Sequence, residues 1–306
     1  MRVAVIGIGS NSVRMLVADV MNGRFDRLAR DRAGTRLFAG LDAQCCLSQE
    51  SMARTAGEAG RMAKEAREQG CVDVRVFATS ASRDARNGEA FLSLLREITQ
   101  AEPEILSGVE EAELSFLGAS DVVPEGRRCG MIDIGGGSTE LVLGRGKRLE
   151  LAMSCQMGAV RLFRKMPINE VSDMARVEEE ARQILDERLG ACPGWEAPEM
   201  WVGTGGTFTV LAAMVRGVHW TDRTNMHGTR ISRVAVREIG ERLAGMTMAE
   251  RLQLPGLQPA RADIVVHGIC ILLAIMDRMD AEELVVSEYG NLDGYVRKHF
   301  CTGNAG

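Results

Sequence analysis

The feature that most constrains this chain is a short pattern used twice: an apolar strand, a turn of glycine and hydroxyl residues, and a second apolar strand. Residues 3–8 are apolar, Gly9-Ser10-Asn11-Ser12 is turn chemistry, and residues 13–20 are again mostly apolar, which predicts a hairpin with a polar tip. Past a polar break at Pro124-Glu125-Gly126 the pattern starts again, with residues 130–134, the loop Gly135-Gly136-Gly137-Ser138-Thr139, and residues 141–143. The sequel is also alike. In the first half a helix over 48–69, with Ser48 as N-cap and Gly70 as stop, precedes a strand at 72–79, a helix at 87–99, a strand at 104–106 and a helix at 107–117. In the second half a strand at 149–153, helices within 168–189, a strand at 200–202 and helices beyond Thr207 repeat that order. The remainder reads as helical, punctuated by the capping box Thr247-Met248-Ala249-Glu250 and by Pro255 and Pro259, with a strand at 284–287 and a helix at 291–300. The expectation is a duplicated α/β fold in two domains, 1–125 and 126–306, with the last helix packing back on the first.

A third loop, Gly203-Thr204-Gly205-Gly206-Thr207, shares the composition of the two hairpin tips and also follows an apolar strand. Glycine lets the backbone turn sharply and approach an anion, while successive N–H groups and Ser/Thr hydroxyls donate to phosphate oxygens. The third loop opens a helix, whose N-terminus favours negative charge. Gly7-x-Gly9 is not a dinucleotide fingerprint, because the residues after Ser12 continue as a strand instead of entering a helix. No GxxxxGK[ST] stretch occurs.

Carboxylates complete the chemistry, because work on a bound phosphate calls for an activated water and an offset for phosphate charge. Asp133 ends the strand before the triple glycine and Glu140 lies on the returning strand, so both can point at whatever the loop binds, directly or through metal-bound water. Ser107-Gly108-Val109-Glu110-Glu111 is a helix start in which Glu110 serves as capping partner of Ser107. Glu111 has no such local task and can orient or deprotonate a water. Arg83 follows a strand and can clamp phosphate; Arg14 is a weaker candidate for the same role. The histidines fit no ligand spacing, and His267 reads as a satisfied core residue in an apolar helix.

Composition narrows the classes further. A formal charge of −5 argues against a nucleic-acid-coating surface, and no apolar run reaches the roughly 18 residues that span a bilayer. The N-terminus opens directly on a strand with no cleavage pattern, so a cytoplasmic protein with neither nucleic acid nor membrane as partner is expected. The 8 cysteines form no CxxC pair and read as reduced, mostly buried small hydrophobes.

Taken together, GSNSVRMLV (9–17), ATSASRDARN (78–87), SGVEEAEL (107–114), IDIGGGSTELV (132–142), VGTGGT (202–207), HG (227–228), LPGLQPARADI (254–264) and SEYGNLDGY (287–295) resemble the exopolyphosphatase and guanosine pentaphosphate phosphatase family of the actin-like superfamily. The resemblance runs nearly end to end. It implies two ribonuclease H-like domains with mixed sheets and the active site in the interdomain cleft, dependence on Mg²⁺ (with Mn²⁺ as alternative), and release of terminal phosphate from inorganic polyphosphate or from guanosine pentaphosphate. By position it implies Glu111 as catalytic base and Asp133 and Glu140 as metal and water ligands. Phosphate contacts would come from Gly9, Ser10, Asn11, Ser12, Arg83, Gly135, Gly136, Gly137, Ser138, Thr139, Gly205, Gly206 and Thr207. A homodimer is a candidate assembly.

The chain departs from the family pattern in two places. Gly7 stands where relatives usually carry an aspartate, in a run like IDxGSNS, and the frequent GLREG becomes Gly290-Asn291-Leu292-Asp293-Gly294. The resemblance stops at Gly306 without the C-terminal helical domains of long members, so processivity on long polymers is not expected. Two other readings compete with polyphosphate hydrolysis: an alarmone- or nucleotide-binding regulator without catalysis, suggested by Gly7, and, more weakly, a sugar-kinase-like phosphotransferase.

Overall fold

The structure, a computed structural model, describes residues 1–192 and 194–301. It divides into two compact units, Met1–Gly118 joined by the chain from Asn291 onward, and Ala119–Gly290. The division falls at the end of a helix, so the polar break at 124–126 lies inside the second unit.

In the first unit β1 (Arg2–Ile8), β2 (Val13–Met21) and β3 (Arg24–Ala33) form an antiparallel meander, followed by α1 (Gln49–Glu68), β4 (Asp73–Ala78), the short α2 (Ser80–Arg83), α3 (Gly88–Thr99), β5 (Pro103–Ile105) and α4 (Gly108–Ala119). The strand order is β3-β2-β1-β4-β5, with β4 and β5 parallel to β1. The second unit repeats it with β6 (Arg128–Ile134), β7 (Thr139–Arg145) and β8 (Arg148–Cys155) as meander. There follow α5 (Ala159–Lys165), α6 (Met174–Gly190), β9 (Met200–Thr204), α7 (Gly206–Arg216), β10 (Arg230–Ser232), α8 (Arg233–Ala244), α9 (Met248–Arg251), α10 (Val265–Arg278) and β11 (Glu283–Val286). Its order, β10-β11-β9-β6-β7-β8, is the first sheet mirrored in listing with one added edge strand, β10. The internal repeat is therefore a repeat of whole sheets.

Local chemistry explains the elements. The Ser48 side chain accepts from Ser51 N and starts α1, whose face of Ala56, Ala59, Met62, Ala63 and Ala66 is small enough to lie close to the sheet. Thr247 and Glu250 form the expected reciprocal cap on α9, and Ser107 and Glu110 do the same on α4. The second core centres on α10, buried all round from Val265 to Met276. His267 lies within it, its Nε2 2.9 Å from the Met166 carbonyl, while its buried Nδ1 has no hydrogen-bond partner among the described residues, so the expected core histidine is satisfied on one side only.

The sequence delimits no strand between residues 20 and 48, whereas β3 occupies Arg24–Ala33. It is an edge strand rich in arginine and aspartate, and edges are kept charged to discourage pairing with other chains, so its apolar alternation is weak. The helix expected from 168 starts only at Met174, and α5 and β10 are too short for periodicity to announce them.

The last helix, α11 (Asn291–Phe300), packs on the first sheet through Tyr295 and Val296. Gly294 makes this contact feasible: a Cβ there would lie 1.8 Å from the Leu114 carbonyl oxygen of α4. Polar ties secure it, from Arg27 to Asp293 at 2.5 Å, Lys298 to Glu113 at 2.7 Å and Tyr295 Oη to Glu104 at 2.5 Å. All cysteines are free, and burial pushes the Cys129 and Cys155 thiols up to about 11 and about 12, so both stay protonated and unreactive. Among the described residues no helix is long and apolar enough to cross a membrane.

Candidate active site

The first unit gathers its chemistry where β1, β4 and β5 end side by side. The Gly9–Ser12 turn is closed by Gly9 N donating to Ser12 O at 3.0 Å. The carbonyls of Ser10 and Asn11 accept from Phe38 N (2.9 Å) and Arg36 N (3.0 Å). In a trans peptide the N–H points opposite to the carbonyl, so the N–H groups of Asn11 and Ser12 point away from that segment. The turn after β4 is clipped to the end of β1 by Thr79 N on Ile8 O at 3.0 Å, which brings α2 alongside.

Buried polar atoms in these two turns lack acceptors. Among the described residues, Ser10 Oγ, Asn11 Nδ2, Ser80 Oγ, Ser82 Oγ and Arg83 Nη2 are buried with no hydrogen-bond partner. An unsatisfied buried donor costs about 1–3 kcal/mol, more when charged, so a cluster of them calls for an anion. Arg83 is held from its other nitrogen, Nη1 reaching Leu106 O at 2.8 Å and Glu111 Oε2 at 3.2 Å. Glu111, 7% exposed, thus comes from the first turn of α4 to the guanidinium beside the donors. Gly9, Ser10, Asn11, Ser12, Arg83 and Glu111 are brought together as a group.

The second unit builds a related site. Gly135 N donates to Ser138 O at 3.0 Å, the same closure as in the first hairpin. The carbonyls of Gly135 and Gly136 accept from the first amides of α5, and that of Gly137 from Arg161 Nε at 2.6 Å. The N–H groups of Gly136, Gly137 and Ser138 therefore point away from α5, forming a donor nest. Thr139 differs from its expected role as a phosphate contact: fully buried, its hydroxyl donates to Met157 O at 2.6 Å, so its hydrogen is spent inside the fold. Thr207 is packed against Gly268 of α10, with Oγ1 2.3 Å from where a Cβ would stand.

Asp133 and Glu140 are directly opposite across β6 and β7, hence on one face. Glu140 is 1% exposed and its Oε1 accepts from Ser154 Oγ at 2.8 Å. Gly205, at φ +95°, passes so close that a Cβ would meet Asp133 Oδ1 at 2.7 Å. Two neighbouring carboxylates make an oxygen-only donor pair suited to a hard divalent cation. No group of three or more His, Cys, Asp or Glu side chains placed to hold a metal occurs among the described residues.

Sequence reasoning leaves Arg261 and Ser154 unassigned. The Arg261 guanidinium lies against Gly206 at the start of α7, Cζ 1.7 Å from a Cβ position, so only glycine fits beneath it. Its signal is present in the LPGLQPAR run. Ser154 is visible only from strand register.

A hairpin-led mixed sheet, duplicated, with donor loops at its strand ends is the architecture of the actin-like ATPase class. Within it the chain belongs to the Ppx/GppA phosphatase family, whose model matches residues 16–299. It is 34% identical over 313 residues to the protein named Exopolyphosphatase 2 of Mycobacterium tuberculosis, covering 96% of this chain and 97% of the relative. Among solved structures, an exopolyphosphatase-like protein matches with a TM-score of 0.88 at 29% identity, over 97% of this chain and 98% of the other. An exopolyphosphatase from Cytophaga hutchinsonii matches at 0.87 and 25%, covering 97% of each.

Proposed function

We propose that this chain is an exopolyphosphatase, releasing the terminal phosphate of inorganic polyphosphate by attack of water. The observation that carries the reading is the cluster of buried donors without acceptors in the first unit, a need that phosphate oxygens meet. The similarity to proteins named exopolyphosphatase supports it.

In this reading the turn amides, Ser10, Asn11, Ser80, Ser82 and Arg83 orient the phosphoryl group. Glu111 takes a proton from the water whose oxygen attacks the terminal phosphorus; the bridging P–O bond breaks and the shortened chain leaves as an anion. Arg83, bonded to both the Leu106 carbonyl and Glu111, fixes the carboxylate relative to the phosphate donors. Asp133 and Glu140 would hold Mg²⁺ or Mn²⁺, which offsets phosphate charge when bound.

A second reading is removal of the 5′-terminal phosphate of guanosine pentaphosphate. It draws support from the Tyr289 and His227 rings, 4.4 Å apart, where the Tyr289 carbonyl accepts from Thr204 Oγ1 at 2.7 Å, because a ring pair next to the third glycine loop offers a base a surface to stack on. Phosphate release from the two substrates, assayed side by side, separates them: turnover of guanosine pentaphosphate with none of polyphosphate reverses the order. Glu111→Gln is expected to leave the fold intact and abolish release. Full activity in that variant sinks the assignment, and metal-dependent nucleotide binding with no release from either substrate establishes a non-catalytic regulator instead.

A further inference from the structure

The two hairpins can be compared position by position. Gly7 lies opposite Arg14 across β1 and β2 as Asp133 lies opposite Glu140 across β6 and β7, and each turn begins two residues further on with the same amide-to-carbonyl closure. Position 7 is therefore the first unit's counterpart of Asp133. It can carry a carboxylate only if its neighbours give way, because the space beside it is already taken. A Cβ on Gly7 would meet Phe77 Cζ at 2.9 Å, Leu292 Cδ2 at 3.0 Å and Phe77 Cε2 at 3.1 Å.

Neither neighbour is idle. Phe77 is fully buried and stacks on Tyr295 at 5.2 Å, which fixes its ring. Leu292 stands in the first turn of α11, whose placement is set by Gly294 on Leu114 and by Asp293 with Arg27. The residue before it, Asn291, is buried and its Oδ1 accepts from Arg14 Nη2 at 3.1 Å. An arginine tied to this turn thus occupies the counterpart of Glu140, and apolar carbon fills the counterpart of Asp133. The two departures from the family pattern, at Gly7 and at 290–294, meet at one point in space.

The geometry points to a metal site built on the second unit alone: Asp133 and Glu140 hold the divalent ion, while Leu292 and Phe77 seal the matching position on the first unit against a carboxylate. This rests on the metal-assisted hydrolysis proposed above. A carboxylate forced into the seal would be desolvated against the carbon of Phe77 and Leu292.

The test is Mn²⁺ binding to the intact chain, followed by electron paramagnetic resonance, together with thermal unfolding. Asp133→Asn and Glu140→Gln should each weaken Mn²⁺ binding at least 10-fold. Gly7→Asp should unfold at lower temperature than the wild type with Mn²⁺ affinity unchanged, and adding Leu292→Ala should recover most of the lost melting temperature. Should Gly7→Asp not fold, Gly7→Ala with and without Leu292→Ala reads the same seal. Mn²⁺ binding that ignores both Asp133→Asn and Glu140→Gln overturns the inference, as does a Gly7→Asp protein as stable as wild type that binds Mn²⁺ more tightly. Loss of phosphate release from every substrate with these binding results intact would instead defeat the hydrolase reading and leave the metal assignment standing.

Discussion

Across the first sheet, the second row from the hairpin tip reads Arg32, Arg14, Gly7 and Phe77; across the second, the matching row reads Ser154, Glu140, Asp133 and Thr204. The backbone is the same in both, down to the closing bond of each turn. The side chains are not. Placing Arg14 opposite Arg32 sets like charges side by side, an arrangement that costs stability unless an anion or a fixed acceptor relieves it. Placing Asp133 opposite Glu140 does the same with the opposite sign and invites a cation. One duplicated scaffold thus carries a basic row in one unit, its Arg14 already donating to Asn291, and an acidic row in the other, with donor turns kept in both.

The largest difference expected from this contrast is kinetic. Glu140→Gln should lower kcat for phosphate release on the order of 10²–10³-fold, the scale seen when a charge that stabilises a transition state is removed. Arg14→Gln should act mainly on KM, by about 10-fold, because an arginine that only helps gather phosphate contributes equally before and during reaction. Steady-state kinetics at saturating metal checks both. Equal loss of kcat in the two variants would break the comparison, since the rows would then not divide their labour.

A second contrast concerns how each turn is held. In the second unit Gly158 lets α5 start against the loop: a Cβ there would lie 2.5 Å from Gly136 C and 2.6 Å from Gly137 C, both backbone atoms with little freedom to yield. Gly158→Ala should therefore destabilise by about 2–3 kcal/mol in urea unfolding. Gly9 in the first turn has only Ser12 O at 3.4 Å, and Gly9→Ala should cost less than about 1 kcal/mol. A similar loss in both would mean that the first turn is clamped as firmly as the second.

Much of this was legible before any coordinates. The duplication, both turns, the caps at Ser48, Ser107 and Thr247, and the strands that carry the turns follow from local chemistry, because turn residues and apolar runs act within a few positions of each other. What escaped depends on residues distant in sequence. The glycine at 7 is a missing acid in the sequence, and only the packing of Leu292 and Phe77 shows that the space is closed. Ser154 reaches Glu140 through strand register, and Arg261 reaches Gly206 from a loop more than a helix away. Thr139 illustrates the converse: its composition and position suit phosphate, yet its proton is already committed to Met157.

The smallest expected difference lies in titration. In the first unit, burial and the Glu104 carboxylate raise the Tyr295 hydroxyl well above its ordinary value, so it stays neutral and adds no pH dependence near neutrality. His299 is lowered by burial but sits on an exposed position, where the effect on stability is small. In the second unit His267 is buried inside α10, and desolvation lowers it from 6.5, with Arg251 adding to the shift and Met166 and Asp263 opposing it. A base lowered in the folded state is protonated first in the unfolded one. Its contribution is complete above pH 6.5 and is lost as the pH falls below that value, at a limiting slope of about 1.4 kcal/mol per pH unit. His267→Gln keeps a donor for the Met166 carbonyl and removes the titration. Urea unfolding between roughly pH 7.5 and 5.5 should show wild type losing stability more steeply than the variant. Parallel losses would mean that His267 takes up its proton within the folded core, where Asp263 favours the charged form.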